Sequence, residues 1–235
     1  MCEISRKLLV PKESRLSTIP FLLMMKRVKK RTPYYLLDLS NSVRFGVQAP
    51  RYAQRILVDP RALSHYIQSG PGRSSTGRVL DGAWDLDVDR VCDHPKIMVC
   101  VEHFVNGKSW QDSGAIELMS NLIKEMPGAD SCWNLDDMKH RYRKLDEVFQ
   151  TVKREGRLRP QSELRPTAFR ELGGVYVHID RHAQPIFGSA GWHRLAIAQI
   201  LQLKRIPAQL GAVHRHAIND WKSNVVFPGQ SGDSQ

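Results

Sequence analysis

The segment that most constrains the fold runs from residue 175 to residue 202 and reads VYVHIDRHAQPIFGSAGWHRLAIAQILQ. Apolar and polar residues alternate over 175–179, a polar turn follows at 180–184, and residues 185–187 are apolar again, which predicts a β-hairpin. The loop 188–191 contains two glycines and leads into a helix predicted over 192–202. A hairpin followed directly by a helix indicates an α+β fold, in which helices pack on a sheet.

Other segments extend this pattern. Residues 206–213 predict a further strand, and residues 83–88 alternate in a way that suits a short strand. The clearest helix begins after Asn134, continues through an apolar stripe and ends at Gly156. Two shorter amphipathic helices are predicted from Pro95 to about residue 105 and over 116–126, the second with Asp112 or Ser113 as its N-cap.

These patterns divide the chain into four parts. We expect a basic, partly flexible extension over 1–50, a mainly helical region with one or two short strands over 51–133, a core over 134–217, and a C-terminal tail over 218–235. The predicted architecture is a small mixed β-sheet with packed helices, preceded by a helical N-terminal region.

Basic residues are concentrated near the N-terminus. Residues 1–31 contain nine Lys or Arg but only Glu3 and Glu13 as acidic residues, and they supply more than half of the formal net charge of +11. This excess favours anionic partners, and the basic residues 1–31 could contact nucleic acid or an anionic membrane surface. A solvated, loosely packed tail is the alternative.

The cysteines and the apolar segments bear on the compartment. None of the four cysteines belongs to a CxxC pair or completes a zinc signature with histidine. The apolar segment 19–25 is too short to cross a bilayer, and no small-residue cleavage site follows it. We therefore expect a cytoplasmic location, with peripheral membrane attachment as a variant.

The loop 188–194, which reads GSAGWHR, carries the main functional hypothesis. A glycine-containing loop before a helix leaves the first N–H groups of the helix unpaired, beside the positive end of its dipole, so an anion can bind there. Ser189 could add a hydroxyl, His193 an imidazole donor and Arg194 a planar fork that suits two phosphate oxygens. The residues alone support a glycine-rich surface turn equally well.

The sequence LDEVFQTVKREGRLRPQSEL, followed by GGVYVHIDRHAQPIFGSAGWHRLAIAQILQLKRIP, resembles the ParB/sulfiredoxin superfamily. In that group a helix that ends in glycine precedes a hairpin, a glycine- and arginine-containing turn, a helix and an Ile-Pro strand. The resemblance covers roughly residues 135–216. It implies a nucleotide-binding fold, whose members include a peroxiredoxin-repair enzyme, free-serine kinases and DNA-partitioning proteins that use CTP as a switch.

The resemblance also implies a ligand and a set of contacts. ATP or CTP, with Mg²⁺, would be held at the turn and the helix N-terminus. Gly191, His193 and Arg194 would contact the phosphates, and Gly188 and Ser189 would lie in the same loop.

This sequence departs from the family in two places, and each departure limits which of the family's functions we expect here. Trp192 stands where a sulfiredoxin has its nucleophilic cysteine, which argues against cysteine repair. Trp192 could instead stack on a nucleotide base or close the core. The chain also lacks the Gly-Glu-Arg-Arg box of the partitioning proteins and, within the sequence given, the helix-turn-helix region that follows it.

Three functional hypotheses remain. The first is phosphoryl transfer to a small hydroxylated acceptor, or nucleotide hydrolysis, with Glu171 as the candidate base; a solvated glutamate at a strand entrance is the alternative for this residue. The second is a non-catalytic nucleotide-sensing module. The third is a ParB-like DNA-binding protein or a nuclease, against which stands the lack of a clustered Asp/Glu metal site.

Overall fold

The computed structural model describes residues 34–228. The basic residues 1–31 and the end of the C-terminal tail lie outside these described residues. The helices are α1 (Tyr34–Phe45), α2 (Pro95–Phe104), α3 (Ala115–Glu125), α4 (Leu135–Glu155), α5 (Gln161–Leu164) and α6 (Trp192–Ile200). The strands are β1 (Arg55–Val58), β2 (His65–Ile67), β3 (Val79–Leu80), β4 (Val88–Arg90), β5 (Val175–Ile179), β6 (Pro185–Phe187) and β7 (Ile206–His214).

The strands of this region form one mixed sheet in the order β1-β7-β5-β6-β2-β4, with β3 paired to the far end of β7. The predicted hairpin is confirmed, because β5 and β6 pair antiparallel with His178 opposite Ile186. The strand β7 then pairs parallel to β5. The structure is therefore an α+β fold with a mixed sheet and packed helices, as the sequence indicates.

The central strands are covered on both faces, since every residue of β5 and β7 is buried. Val175, Val177 and Ile179 join the main core together with side chains of α2, α4 and α6. Tyr176 points to the other face, where its hydroxyl donates to the carbonyl of Gly72, and His178 contacts Trp84 on that face. This alternation is the period-two pattern of a strand.

A second apolar cluster lies among the helices and contains Val99, Ala115, Ile116, Met119, Cys132, Met138 and Tyr142. The cluster forms because α4 buries its apolar stripe on α2 and α3 while its remaining surface stays polar. Asn134 caps α4 by accepting the N–H of Asp137, and Gly156 ends the helix with φ of +66°. Both predicted ends of this helix are confirmed.

Several details of the sequence analysis were wrong. Residues 83–87 form turns, and the strand β4 begins only at Val88. The N-cap of α3 is Gly114, with φ of +81°; the Ser113 hydroxyl lies one residue earlier, where it donates to the carbonyl of Trp110 and accepts the N–H of Ala115. The strands β1 and β2 were missed, and both join the sheet formed by residues 175–214.

Candidate functional site

Two glycines determine the backbone conformation of the turn between β6 and α6. Gly191 is the N-cap of α6 with φ of +93°, a left-handed conformation that residues with a Cβ rarely adopt. A Cβ at Gly188 would lie 2.6 Å from Cδ1 of Tyr176, so this position has no room for a side chain. The two glycines therefore bring the first turn of α6 close to β5.

The hydroxyl of Ser189 forms a structural hydrogen bond. Its Oγ donates a hydrogen bond of 2.9 Å to the carbonyl of Ile67, the last residue of β2. Ser189 also has a left-handed backbone, with φ of +59°. Gly188, Ser189 and Gly191 thus shape the turn, and none of the three lines the cavity described below.

The side chain of Trp192, directly after the turn, is packed in the core. Its indole stacks on His94 with ring centroids 3.5 Å apart and meets Phe187 and Tyr66 edge to face. The side chain is 8% exposed and belongs to the main core cluster. Of the two roles open to Trp192 on sequence, the structure places it in the core.

A cavity of about 670 Å³ lies where α4 passes the first turn of α6. Its apolar wall is formed by Leu145, Val148, Val152, Leu158 and Leu164. Its basic side chains are His140, Arg141, Lys144, Arg157, Arg159, His193 and Arg194, and its acidic side chains are Asp130, Asp137, Glu147 and Glu155. Of the residues predicted to bind phosphate, the structure therefore brings His193 and Arg194 to the cavity.

His193 is held as a neutral imidazole. Arg141 donates from Nη2 to Nδ1 of His193 across 3.3 Å, which leaves the imidazole proton on Nε2. Burial, together with the positive charges of Arg141 and Lys96, lowers the pKa of His193 to about 4. The Nε2–H group is buried and has no hydrogen-bond partner among the described residues.

Arg194 is anchored through one nitrogen only. Its Nη2 donates 2.6 Å to the carbonyl of Arg159, whereas its buried Nη1 has no partner in the described part of the chain. Burial lowers the pKa of Arg194, and the charge of Glu171 opposes this effect. An arginine pKa begins so high that the guanidinium remains charged.

An ion-pair network holds Arg141 at the cavity. Asp130 accepts from Nζ of Lys96 at 2.7 Å and lies 3.5 Å from Nη2 of Arg141, whose Nη1 donates to the Asp130 carbonyl. Burial raises the pKa of Asp130, but the Lys96 hydrogen bond and both cationic charges outweigh burial and lower it. Asp130 is thus an ionised anchor and a weak proton acceptor.

Glu171 lies away from the cavity, and its side chain is completely buried. Its carboxylate accepts the N–H of Gln161, the first residue of α5, and lies 3.4 Å from Nε of Arg55. Burial raises its pKa, against the effects of the Gln161 N–H and of the Arg194 and Arg55 charges. This position gives Glu171 a structural contact rather than access to a ligand in the cavity.

Sequence reasoning missed the contribution of α4 to the site. Lys144 lies four residues after His140 and three after Arg141, so it neighbours both on the helix surface, and all three residues line the cavity. The apolar stripe of α4 predicts only the side of the helix that faces the core. A basic stripe beside an apolar one was the available signal.

Comparisons of the chain with protein-family models, with curated proteins and with solved structures found no match. Among residues 34–228, no three His, Cys, Asp or Glu side chains are grouped closely enough to hold a metal ion. None of the helices in this same region has the length and apolar character needed to cross a membrane.

Proposed function

We propose that the cavity between α4 and α6 binds the phosphate groups of a nucleotide, ATP or CTP, and acts as a nucleotide-sensing module. One observation carries this proposal. Eight buried side-chain nitrogen or oxygen atoms of the described residues lack a hydrogen-bond partner, and three of them belong to residues that line this one cavity: Arg141 Nε, His193 Nε2 and Arg194 Nη1.

All three atoms are N–H donors, because arginine has no acceptor and Nδ1 of His193 already accepts from Arg141. A buried donor without a partner costs about 1–3 kcal/mol, so folded proteins rarely keep one without a role. An anion that accepts from all three would remove this cost. Two guanidinium groups and the adjacent N-terminus of α6 also favour negative charge.

The size and lining of the cavity favour a nucleotide over a bare anion. Its volume of about 670 Å³ lies within the range of roughly 300–1,000 Å³ found for small-molecule sites. The apolar wall of α4 and the segment after it can contact a base, while the cationic side chains contact the phosphates. The resemblance of residues 135–216 to the ParB/sulfiredoxin superfamily supports the same choice of ligand.

The arrangement of carboxylates favours sensing over phosphoryl transfer. Glu171, the candidate base, is buried outside the cavity. Four carboxylates line the cavity: Asp130 is paired with Lys96, Glu155 is paired with Arg159, Asp137 accepts the N–H of Trp133, and Glu147 is exposed to solvent. The proposal therefore includes neither phosphoryl transfer to a hydroxylated acceptor nor nuclease activity, and Mg²⁺ would enter as the companion ion of the nucleotide.

Thermal unfolding with ATP, CTP, GTP, inorganic phosphate and Mg²⁺ tests this proposal. A ligand at about a hundred times its Kd stabilises the native state by about 2.7 kcal/mol, which raises Tm by roughly 5–10 °C for a chain of this size. We expect this rise with ATP or CTP for wild type and for Arg143→Ala, an exposed position of α4 outside the cavity. We expect no rise for Arg194→Ala, and an absence of any rise in wild type would contradict the proposal.

A further inference from the structure

The helix α1 is oriented with polar side chains toward the protein. Asp38 accepts the N–H of Tyr52 at 2.7 Å and pairs with Arg170 at 2.7 Å. Asn41 is buried and donates to the carbonyls of Pro50 and Gly77, both at 2.7 Å. These contacts fix which face of α1 is turned inward.

The opposite face of α1 exposes apolar side chains. Six of the fourteen exposed large hydrophobic residues in the described part of the chain lie within residues 34–47. Tyr35, Leu36, Leu39 and Val43 share one side of the helix by their spacing, and Val47 follows in the next turn. Their exposed fractions run from 47% at Leu36 to 88% at Val47. Such a concentration marks an interaction surface, because soluble surfaces normally scatter these residues singly.

A cationic groove adjoins this apolar face at Val47. The groove has a volume of about 650 Å³, and Val47 itself lines it. Its charged side chains are Arg51, Arg55, Arg170 and Lys222, and no acidic residue of the described chain lines it. Burial and the charge of Arg51 lower the pKa of Lys222, whose Nζ donates to the carbonyl of Val47. Within this groove Arg55 and Arg170 are paired with carboxylates, so Arg51 and Lys222 carry the charge available to a partner.

We propose that the apolar face of α1 and the adjoining cationic groove form a docking surface for an anionic lipid membrane. The apolar side chains would enter the boundary between headgroups and acyl chains, and the groove would receive lipid phosphates or carboxylates. The sequence just before α1 strengthens this choice, because Lys26, Arg27, Lys29, Lys30 and Arg31 precede it. The helix would lie on the membrane rather than cross it.

Other partners fit the same surface less well. Nucleic acid would match the cationic groove but would leave the exposed leucine and valine side chains in water. A second copy of the chain could cover the apolar face, but it would bring together two molecules that each carry a formal charge of +11. An anionic membrane satisfies both the apolar and the cationic parts.

Sedimentation with lipid vesicles tests the proposal on the full chain. The probes are vesicles of phosphatidylcholine alone and vesicles with equal parts of phosphatidylcholine and phosphatidylserine. The variant Leu39→Ser/Val43→Ser removes the centre of the apolar face without changing charge. The matched control is Leu86→Ser/Val105→Ser, whose residues are 61% and 60% exposed elsewhere on the protein. A second variant, Arg51→Gln/Lys222→Gln, removes the two charges of the groove that have no carboxylate partner among the described residues.

We expect wild type and the control to bind the phosphatidylserine vesicles and to bind phosphatidylcholine at least about tenfold less. We expect each test variant to bind the anionic vesicles about tenfold more weakly, with circular dichroism like that of wild type. Equal binding of Leu39→Ser/Val43→Ser and wild type would overturn the proposal. So would a wild-type dimer that this variant makes monomeric, or duplex-DNA binding that this variant weakens, since the face would then serve another partner. Nucleotide-induced Tm shifts measured on the same variants report the proposed function separately.

Discussion

Arg141 donates a hydrogen bond from Nη2 to Nδ1 of His193 across 3.3 Å, joining α4 to the first turn of α6. This contact sets the tautomer of the imidazole. It also joins two residues that line the same cavity, and each of them has a buried donor, Arg141 Nε or His193 Nε2, with no partner among the described residues. The same guanidinium pairs with Asp130, which is tied in turn to Lys96. Residues distant in sequence thus preorganise one group of donors.

Replacing Arg141 should raise the pKa of His193. The positive charge of Arg141 is one cause of the low value of about 4, after burial, so Arg141→Gln should move the pKa toward the ordinary 6.5. Burial remains and should keep the pKa below that value. An NMR titration of the His193 imidazole measures the shift, with Arg143→Gln as the control. An unchanged pKa would show that Arg141 does not act on His193.

Replacing Glu171 should affect stability rather than ligand binding. The variant Glu171→Ala leaves the N–H of Gln161 without its acceptor and Arg55 without its partner, so we expect a loss of about 2–3 kcal/mol of unfolding free energy. Urea unfolding measures this loss, and Glu171→Gln should lose less because its amide oxygen can still accept the N–H of Gln161. A variant of wild-type stability that had lost nucleotide turnover would instead restore Glu171 as a catalytic base.

Trp192 should be dispensable for ligand binding if its aromatic packing is kept. Its indole stacks on His94 inside the core and does not line the cavity. Trp192→Phe should therefore bind ATP or CTP within about twofold of wild type, whereas Trp192→Ala should lose about 3–5 kcal/mol of stability. Titration calorimetry and urea unfolding separate the two effects. A tenfold weaker affinity in a stably folded Trp192→Phe would indicate that the indole contacts the base.

Stability should fall as the solution becomes mildly acidic. Burial lowers the pKa of His178 to about 3 and is the first cause that lowers the pKa values of His94 and His193 to about 4, all below the unfolded value of 6.5. The unfolded chain therefore binds protons below pH 6.5 that the native state does not bind. The unfolding free energy should decrease from that pH down to about pH 4, by up to about 1.4 kcal/mol per pH unit for each histidine.

Urea unfolding at pH 7 and at pH 5 measures this loss. The variant His193→Gln should show a smaller decrease than wild type, because one of the three histidines with a lowered pKa is removed. The aspartates with lowered pKa values, Asp85 and Asp130, titrate at lower pH and do not account for this window. A stability that is equal at both pH values would show that these histidines bind protons equally well in the folded chain.

Local patterns in the sequence were enough to predict the hairpin, α4 and α6. Val175–Ile179 alternates strictly between faces, and Asn134 and Gly156 mark the ends of α4 with side-chain and backbone chemistry. The short strands β1 and β2 carry weaker patterns. Their pairing with β7 and β6 depends on contacts between residues more than a hundred positions apart, which local periodicity does not report.

The candidate site was predictable only in part for the same reason. His193 and Arg194 could be selected because they follow a glycine loop at a helix start. The donor that completes the set, Arg141, is 52 residues away from His193 in sequence. Whether Glu171 reaches a ligand or caps a helix depends on where Gln161 lies, and the sequence alone does not place these two residues together.

Calorimetric titration tests nucleotide binding at the proposed site most directly. ATP and CTP are titrated into wild type, Arg194→Gln and the exposed-site control Arg143→Gln. Wild type and the control should bind one nucleotide per chain with equal Kd. Arg194→Gln should bind at least about tenfold more weakly, because it loses a charge-assisted hydrogen bond to phosphate. No measurable heat with wild type, or the same Kd for Arg194→Gln and wild type, would contradict nucleotide binding at the first turn of α6.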